Sequence, residues 1–345
     1  MLKVILAKSA QCAQDTLEEF SDIEWVTIET EYGDKAVSGD LSLNHHGELQ
    51  AMDAPSLAYK LNLKKRYDNF LISHIDLDVL FGILWAAGWL KKTTLTIGLS
   101  NLVAIADVNG FHTIKPLLET MSNDVKERYY AIGYLVNSWV INDNGMLKKD
   151  ISKEIHKLAL RIKDIILSGA TPEQIAQYEQ WFIEQDKVAK QYLQEIYNIS
   201  SDEKMFIFRA PFSLTNAYSV GDYLASVIVQ YNEQSKSISL SCFDIKVAQK
   251  YFGDSGVIEP MQKYFGPDAG GKNTIAGTSR SHNIQPEMVD GFIKFLHREY
   301  FNTPEMQVVT DTEEQSSRRL LALSKQELLK TYSCFDISSL MRPKE

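Results

Sequence analysis

The stretch Phe70-Leu71-Ile72-Ser73-His74-Ile75-Asp76-Leu77-Asp78-Val79 decides how the chain is read. Phe70 to His74 is a short apolar run of the kind a parallel sheet buries on both faces, and an apolar helical run opens at Val79. A strand passing at once into a helix is half of a βαβ unit. Residues two apart on a strand share a side, so His74, Asp76 and Asp78 can converge beyond the carboxyl edge of the sheet, where open α/β sheets collect ligands. Carboxylates and an imidazole held at one point desolvate badly unless a cation joins them, and hard divalent Mn²⁺ or Mg²⁺ accepts that donor mixture. The same residues also fit a helix N-terminus, with Asp76 or Asp78 as cap and His74 a satisfied strand-end residue.

Outward from this stretch, strands and helices alternate. Leu2 to Ala7 and Trp25 to Glu29 read as strands, Gln14 to Phe20 as a helix, and Leu95 to Leu99 and Leu102 to Ala106 as two further strands. Residues 1–115 are therefore expected to form an α/β domain around a mostly parallel sheet. Residues 116–200 read as a helical insert or linker. Tyr129, Ile132, Leu135, Val136 and Trp139 recur at helical spacing, and Thr171-Pro172-Glu173-Gln174 is a capping box opening a helix toward Tyr197. Residues 201–345 read as a smaller α+β domain. It holds a hairpin of Ala225 to Tyr231 with Ser237 to Ser241, helices over Ile245 to Phe252 and Pro286 to Tyr300, a glycine cluster from Gly266 to Gly277, and a capping box at Ser324 to Glu327.

Composition bounds the function. With 345 residues, 44% hydrophobic and 23% charged, the chain can bury a sizeable core, which excludes a disordered or disulfide-scaffold protein. Asp plus Glu number 45 against 36 Lys plus Arg, a net charge of −9 that disfavours long duplex nucleic acid and favours a small phosphorylated compound or a short oligonucleotide. The longest apolar run, Val79 to Leu90, is well short of the roughly twenty residues of a membrane span. The run within Met1 to Ala10 is too short for a signal segment, and Cys12, Cys242 and Cys334 lack metal-like spacing. The expectation is a cytoplasmic protein with reduced thiols, with room for a homodimer.

Two more segments end in polar residues where strands are expected to end. Leu41-Ser42-Leu43-Asn44-His45-His46-Gly47 carries adjacent histidines, which a strand turns to opposite faces; an exposed loop is the alternative. Leu102-Val103-Ala104-Ile105-Ala106-Asp107-Val108-Asn109-Gly110 closes in an acid that either joins a metal cluster or forms a turn, with His112 as an accessory ligand or a loop residue. Farther on, Gly270, Gly271, Ala276 and Gly277 flank Lys272, with Arg280 and His282 following. That combination suits a phosphate, or else a surface turn. Tyr218, Tyr264 and Phe265 could stack on a base but fit a core as well.

Together these segments resemble the DHH phosphoesterase superfamily, which includes single-strand exonucleases, oligoribonucleases, cyclic-dinucleotide phosphodiesterases and manganese pyrophosphatases. His74, Asp76 and Asp78 match its first motif, Ala106-Asp107 with Asn109-Gly110 its second, and Asn44-His45-His46 its namesake. Ile238 to Ser241, Val247 to Gln249 and Gly266 to Gly277 look like its DHHA1 substrate-binding domain. The resemblance implies that His74 and Asp76 hold one metal, that Asp78 and His45 hold the other, that Asp107 bridges them, and that His46 faces the scissile phosphate. Lys272 and Arg280 would orient that phosphate. Here the namesake motif precedes the first, its aspartate is Asn44, and only Asp34 or Asp53 could stand for the final acidic ligand. The function implied is a Mn²⁺- or Mg²⁺-dependent phosphoesterase; the alternative is a non-catalytic nucleotide-binding or regulatory protein on the same scaffold.

Overall fold

The computed structural model describes residues 2–32, 35–44, 53–109, 114, 117–139, 146–212, 214, 217–220, 223–278, 283–301 and 340. It divides into two units, one made of residues 1–110, 117–179 and 327–345, the other of 111–116 and 180–326.

The sheet of the first unit holds β1 (Lys3–Ala7), β2 (Val26–Ile28), β5 (Leu41–Ser42), β6 (Asn69–Ile72) and β7 (Lys148–Asp150), while β3 (Glu31–Tyr32) and β4 (Lys35–Ala36) pair as a separate ribbon. The strand order is β5-β2-β6-β1-β7. β6 lies parallel between β1 and β2, with Val4 and Val26 both opposite Phe70, and β7 closes the far edge antiparallel. Phe70, Leu71 and Ile72 are buried completely, which accounts for their unbroken apolar reading. The region expected to be helical thus also supplies β7 here, and β8 (Leu193–Asn198) to the second unit. Its capping box is present: Thr171 N–H donates to Gln174 Oε1 at 2.8 Å and Gln174 N–H to Thr171 Oγ1 at 3.3 Å, opening the helix Pro172–Tyr192.

Leu95 to Leu99 and Leu102 to Ala106 are not strands but parts of a single helix, α3 (Thr94–Asn109), which follows α1 (Ala10–Glu19) and α2 (Leu77–Ala86). Leu99, Leu102, Val103, Ala104 and Ile105 are all buried, so the helix has no polar face to reveal its period. Ser100 and Asn101, which resemble a turn between two strands, are buried as well. Their side-chain oxygens accept hydrogen bonds from Trp85 Nε1 and the Tyr59 hydroxyl, both at 2.8 Å.

The second unit is built on a six-stranded sheet of order β14-β15-β13-β12-β9-β8. It includes β9 (Lys204–Ala210), β12 (Val227–Asn232), β13 (Ser237–Cys242), β14 (Gly270–Lys272) and β15 (Ile275–Gly277), while β10 (Ser219–Val220) and β11 (Tyr223–Leu224) form their own pair. Alternate residues of β9 enter different cores. Met205 and Ile207 pack with Phe252, Phe265 and Phe292 from the helices, whereas Phe206 and Phe208 pack with Tyr218, Ala225 and Ile228. Tyr218, Tyr264 and Phe265 are therefore core or core-lining residues.

Immediately before β9 in this unit, buried Glu203 accepts hydrogen bonds from Lys250, Tyr251 and Ser200. Burial alone would raise its carboxyl pKa, but the bonds from Lys250 and Tyr251 hold it below the ordinary value of 4.5. A depressed native pKa contributes stability that is present above 4.5 and is lost as pH falls through the native value. Glu203→Gln is expected to lower the melting temperature at pH 7, with the gap to wild type shrinking as scanning calorimetry is carried to more acidic pH.

Candidate metal centre

Parallel strands end at a common edge, and at the carboxyl edge of the first sheet β2, β6 and β5 lead into Glu29, Ser73 to Asp76, and Asn44 respectively. α2 and α3 bring Asp78 and Asp107. One ligand-type atom each from Glu29, His74 and Asp76 lie within 4.8 Å of one another, and so do those of Glu29, Asp78 and Asp107. Two of the three sequence segments expected to contribute thus yield four converging residues, His74, Asp76, Asp78 and Asp107. Asp107 reaches the cluster from the last turn of α3 instead of from a strand end.

Asp76 caps a helix and also joins the cluster. Its Oδ1 caps α2 by accepting from Val79 N–H at 2.8 Å, while Oδ2 lies 3.1 Å from His74 Nε2. His74 Nε2 is also 3.1 Å from Glu29 Oε2. The Ser73 hydroxyl donates its single proton to the Glu29 carbonyl, so at 2.8 Å from His74 Nδ1 it must accept, which fixes the proton on Nδ1. Nε2 is then the nitrogen free to take a second proton or a cation, and it faces two carboxylates. Burial opposes that second proton, but the bonds to Asp76 and Glu29 outweigh it and raise the His74 pKa to about 10.

Asp78 is 1% exposed. Its Oδ1 accepts from Ser56 N–H at 3.1 Å, while Oδ2 is buried with no hydrogen-bond partner. Burial first and the Asp107 charge second raise its pKa well above the ordinary value, against the lowering bond from Ser56. A buried carboxylate with one unpartnered oxygen and two more acids beside it is an arrangement that a cation would relieve. The donor set of hard carboxylate oxygens and one imidazole nitrogen fits a divalent cation such as Mn²⁺ or Mg²⁺.

Glu29 is the residue that the sequence reading missed as a ligand. Its only signal was its place as the acid closing the expected strand Trp25 to Glu29; that β2 lies beside β6 is not written in the local sequence. Asn44 is fully buried and does not enter either cluster. Its Oδ1 accepts from Thr30 N–H and Oγ1–H, both at 3.1 Å, and its Nδ2 donates to the Val37 carbonyl at 3.3 Å. It secures the turn immediately after Glu29. An amide can accept and donate at once, which an aspartate cannot.

His45, His46, His112, Asp34, Arg280 and His282 lie outside the described residues. Asp53 is exposed and belongs to neither cluster. In the second unit Gly270, Gly271 and Lys272 form β14 and Ala276 and Gly277 lie in β15, so the expected loop is an edge hairpin. A side chain on Gly271 would meet the Ile275 carbonyl oxygen at 2.3 Å, so this glycine serves the approach of the chain to itself.

No family model matches the chain, and no curated protein matches it. Among solved structures it is similar to an uncharacterised protein from Helicobacter pylori G27, at 12% identity, covering 81% of this chain and 99% of that one, with a TM-score of 0.20. A likeness that low carries no argument.

Asn44→Asp is expected to destabilise the protein by about 1–3 kcal/mol, through the lost bond to Val37 and an added buried charge. Equilibrium urea unfolding checks the value.

Proposed function

We propose that the chain is a metal-dependent phosphoesterase that hydrolyses a phosphodiester or phosphoanhydride in a small phosphorylated compound, a nucleotide or a short oligonucleotide. The observation that carries this reading is the convergence of His74, Asp76, Asp78, Asp107 and Glu29 at one sheet edge, with Asp78 Oδ2 buried and unpartnered. His74 through Nε2, Asp76 through the oxygen not used in capping, and the carboxylates of Asp78, Asp107 and Glu29 would hold the cation. A divalent ion bound there supplies Lewis acidity, neutralising phosphoryl charge and acidifying water.

The chain's own residues supply orientation. Ser73 fixes the imidazole tautomer, the Ser56 amide holds one oxygen of Asp78, and the Val79 amide holds one oxygen of Asp76, so these three donors are anchored before a substrate arrives. The acidic net charge of −9 supports a small anion, held by a metal, over a long polymer held by basic tracts. The phosphate-orienting roles of His46, Lys272 and Arg280 rest on the resemblance alone.

The test is metal analysis of protein purified without chelator, followed by hydrolysis of bis(p-nitrophenyl) phosphate with added Mn²⁺. A His74→Ala, Asp76→Ala double variant is expected to lose about 100-fold or more of the Mn²⁺-stimulated rate, in keeping with several kcal/mol of charge stabilisation. A wild type with no bound metal and no activity above that variant would sink the reading and favour a nucleotide-binding protein.

A second prediction concerns protons. His74 has a native pKa of about 10 against an ordinary 6.5, so in the cation-free protein its proton adds stability that is full below 6.5 and is lost as pH rises through about 10. Cation uptake must displace that proton. Mn²⁺ affinity is therefore expected to rise by about tenfold per pH unit above neutrality for each proton expelled. Calorimetric titrations in HEPES and in Tris should differ in heat by the buffers' protonation enthalpies; identical heats would refute proton release.

A further inference from the structure

We infer that Glu29 is the carboxylate shared by two cation positions, in a backbone conformation set in advance by its neighbours; this rests on the metal-centre reading above. Glu29 is common to both clusters, one with His74 and Asp76 and the other with Asp78 and Asp107. Asp107, to which the resemblance gives the bridging role, belongs to one cluster only. A carboxylate has two oxygens and can serve two cations at once, as the carboxylates of two-metal sites about 3.5–4 Å apart do.

The backbone supports the assignment. Glu29 has φ of 50°, in the left-handed region that an ordinary side chain enters at a cost of about 1 kcal/mol or more. The conformation is held from both sides. The Ser73 hydroxyl donates to the Glu29 carbonyl, and the Asn44 amide binds both the N–H and the hydroxyl of Thr30, the next residue. β2 thus ends abruptly and Glu29, 7% exposed, stays at the sheet edge among the other acids. The buried and unpartnered Asp78 Oδ2 independently marks the second position as one built for a ligand. Backbone strain of this kind gathers at functional sites, where the surrounding structure over-determines it.

The test is titration of the metal-free full-length chain with Mn²⁺, followed by calorimetry and electron paramagnetic resonance. Wild type is expected to bind two Mn²⁺ with an exchange-coupled spectrum. Glu29→Gln is expected to lose the coupling and to weaken the second ion by about tenfold or more. Asp107→Asn should weaken one ion and leave the other in place. Should Glu29→Gln fail to fold, Glu29→Asn carries the same expectation, because asparagine tolerates left-handed backbone. Two coupled ions of unchanged affinity in the glutamine or asparagine variant, or a single ion in wild type, would overturn the role of Glu29 while leaving a metal centre standing. No Mn²⁺ bound by wild type would overturn the metal centre itself.

Discussion

The first unit is organised around the cost of holding like charges together away from water. Asp78 is buried beside Asp107 and Glu29, where burial and a neighbouring carboxylate both disfavour its charged form and raise its pKa. Such an arrangement is not produced by packing alone. A core position that merely needed volume would take an apolar residue, as Val79 and Leu80 beside it do. The surrounding polar atoms fix the acids in place: Ser56 N–H on Asp78, Val79 N–H and His74 on Asp76, and Ser73 on the carbonyl of Glu29.

Close packing makes that arrangement attainable. The 3₁₀ turn Pro55–Lys60 sits against α2 because position 82 has no side chain; a Cβ there would meet Pro55 Cβ at 3.0 Å and Ile28 Cδ1 at 3.4 Å. The approach of this turn delivers the Ser56 amide to Asp78. Gly82 therefore acts on the cluster through the position of a donor.

The sequence disclosed those parts of the site that are local. His74, Asp76 and Asp78 are spaced at two-residue intervals at a strand-to-helix junction, and the structure brings them to one edge, although β6 has ended at Ile72 and Asp78 already lies in α2, so strand alternation is not what gathers them. Capping and a place in the cluster are compatible because a carboxylate has two oxygens. What stayed illegible depends on strand order or on burial. Glu29 joins the site only because β2 pairs with β6, a contact between residues far apart in the chain. α3 reads as two strands because a helix buried all round has no amphipathic period, and the polar pair Ser100-Asn101 mimics a turn while bonding inward to Trp85 and Tyr59. The glycines of β14 and β15 read as a ligand loop because the close approach that demands glycine looks the same in sequence whether the partner is a ligand or the chain itself.

Protonation and cation binding then compete for the same atoms. Without a cation, the charge on the acids is offset by the proton shared around His74 Nε2 and by the raised proton affinity of Asp78. A divalent ion at the edge would replace both, and its binding energy would add to folding stability, because the unfolded chain has no such cluster. Burial and the neighbouring carboxylate favour the proton on Asp78, and a cation at the same edge would turn that repulsion into attraction. Substituting Asp78 by its amide lowers the repulsion and also removes a ligand, so stability of the cation-free protein and affinity for the cation should move in opposite directions at that position. That opposition separates a metal centre from a cluster of caps, in which loss of an acid lowers stability and leaves nothing to gain.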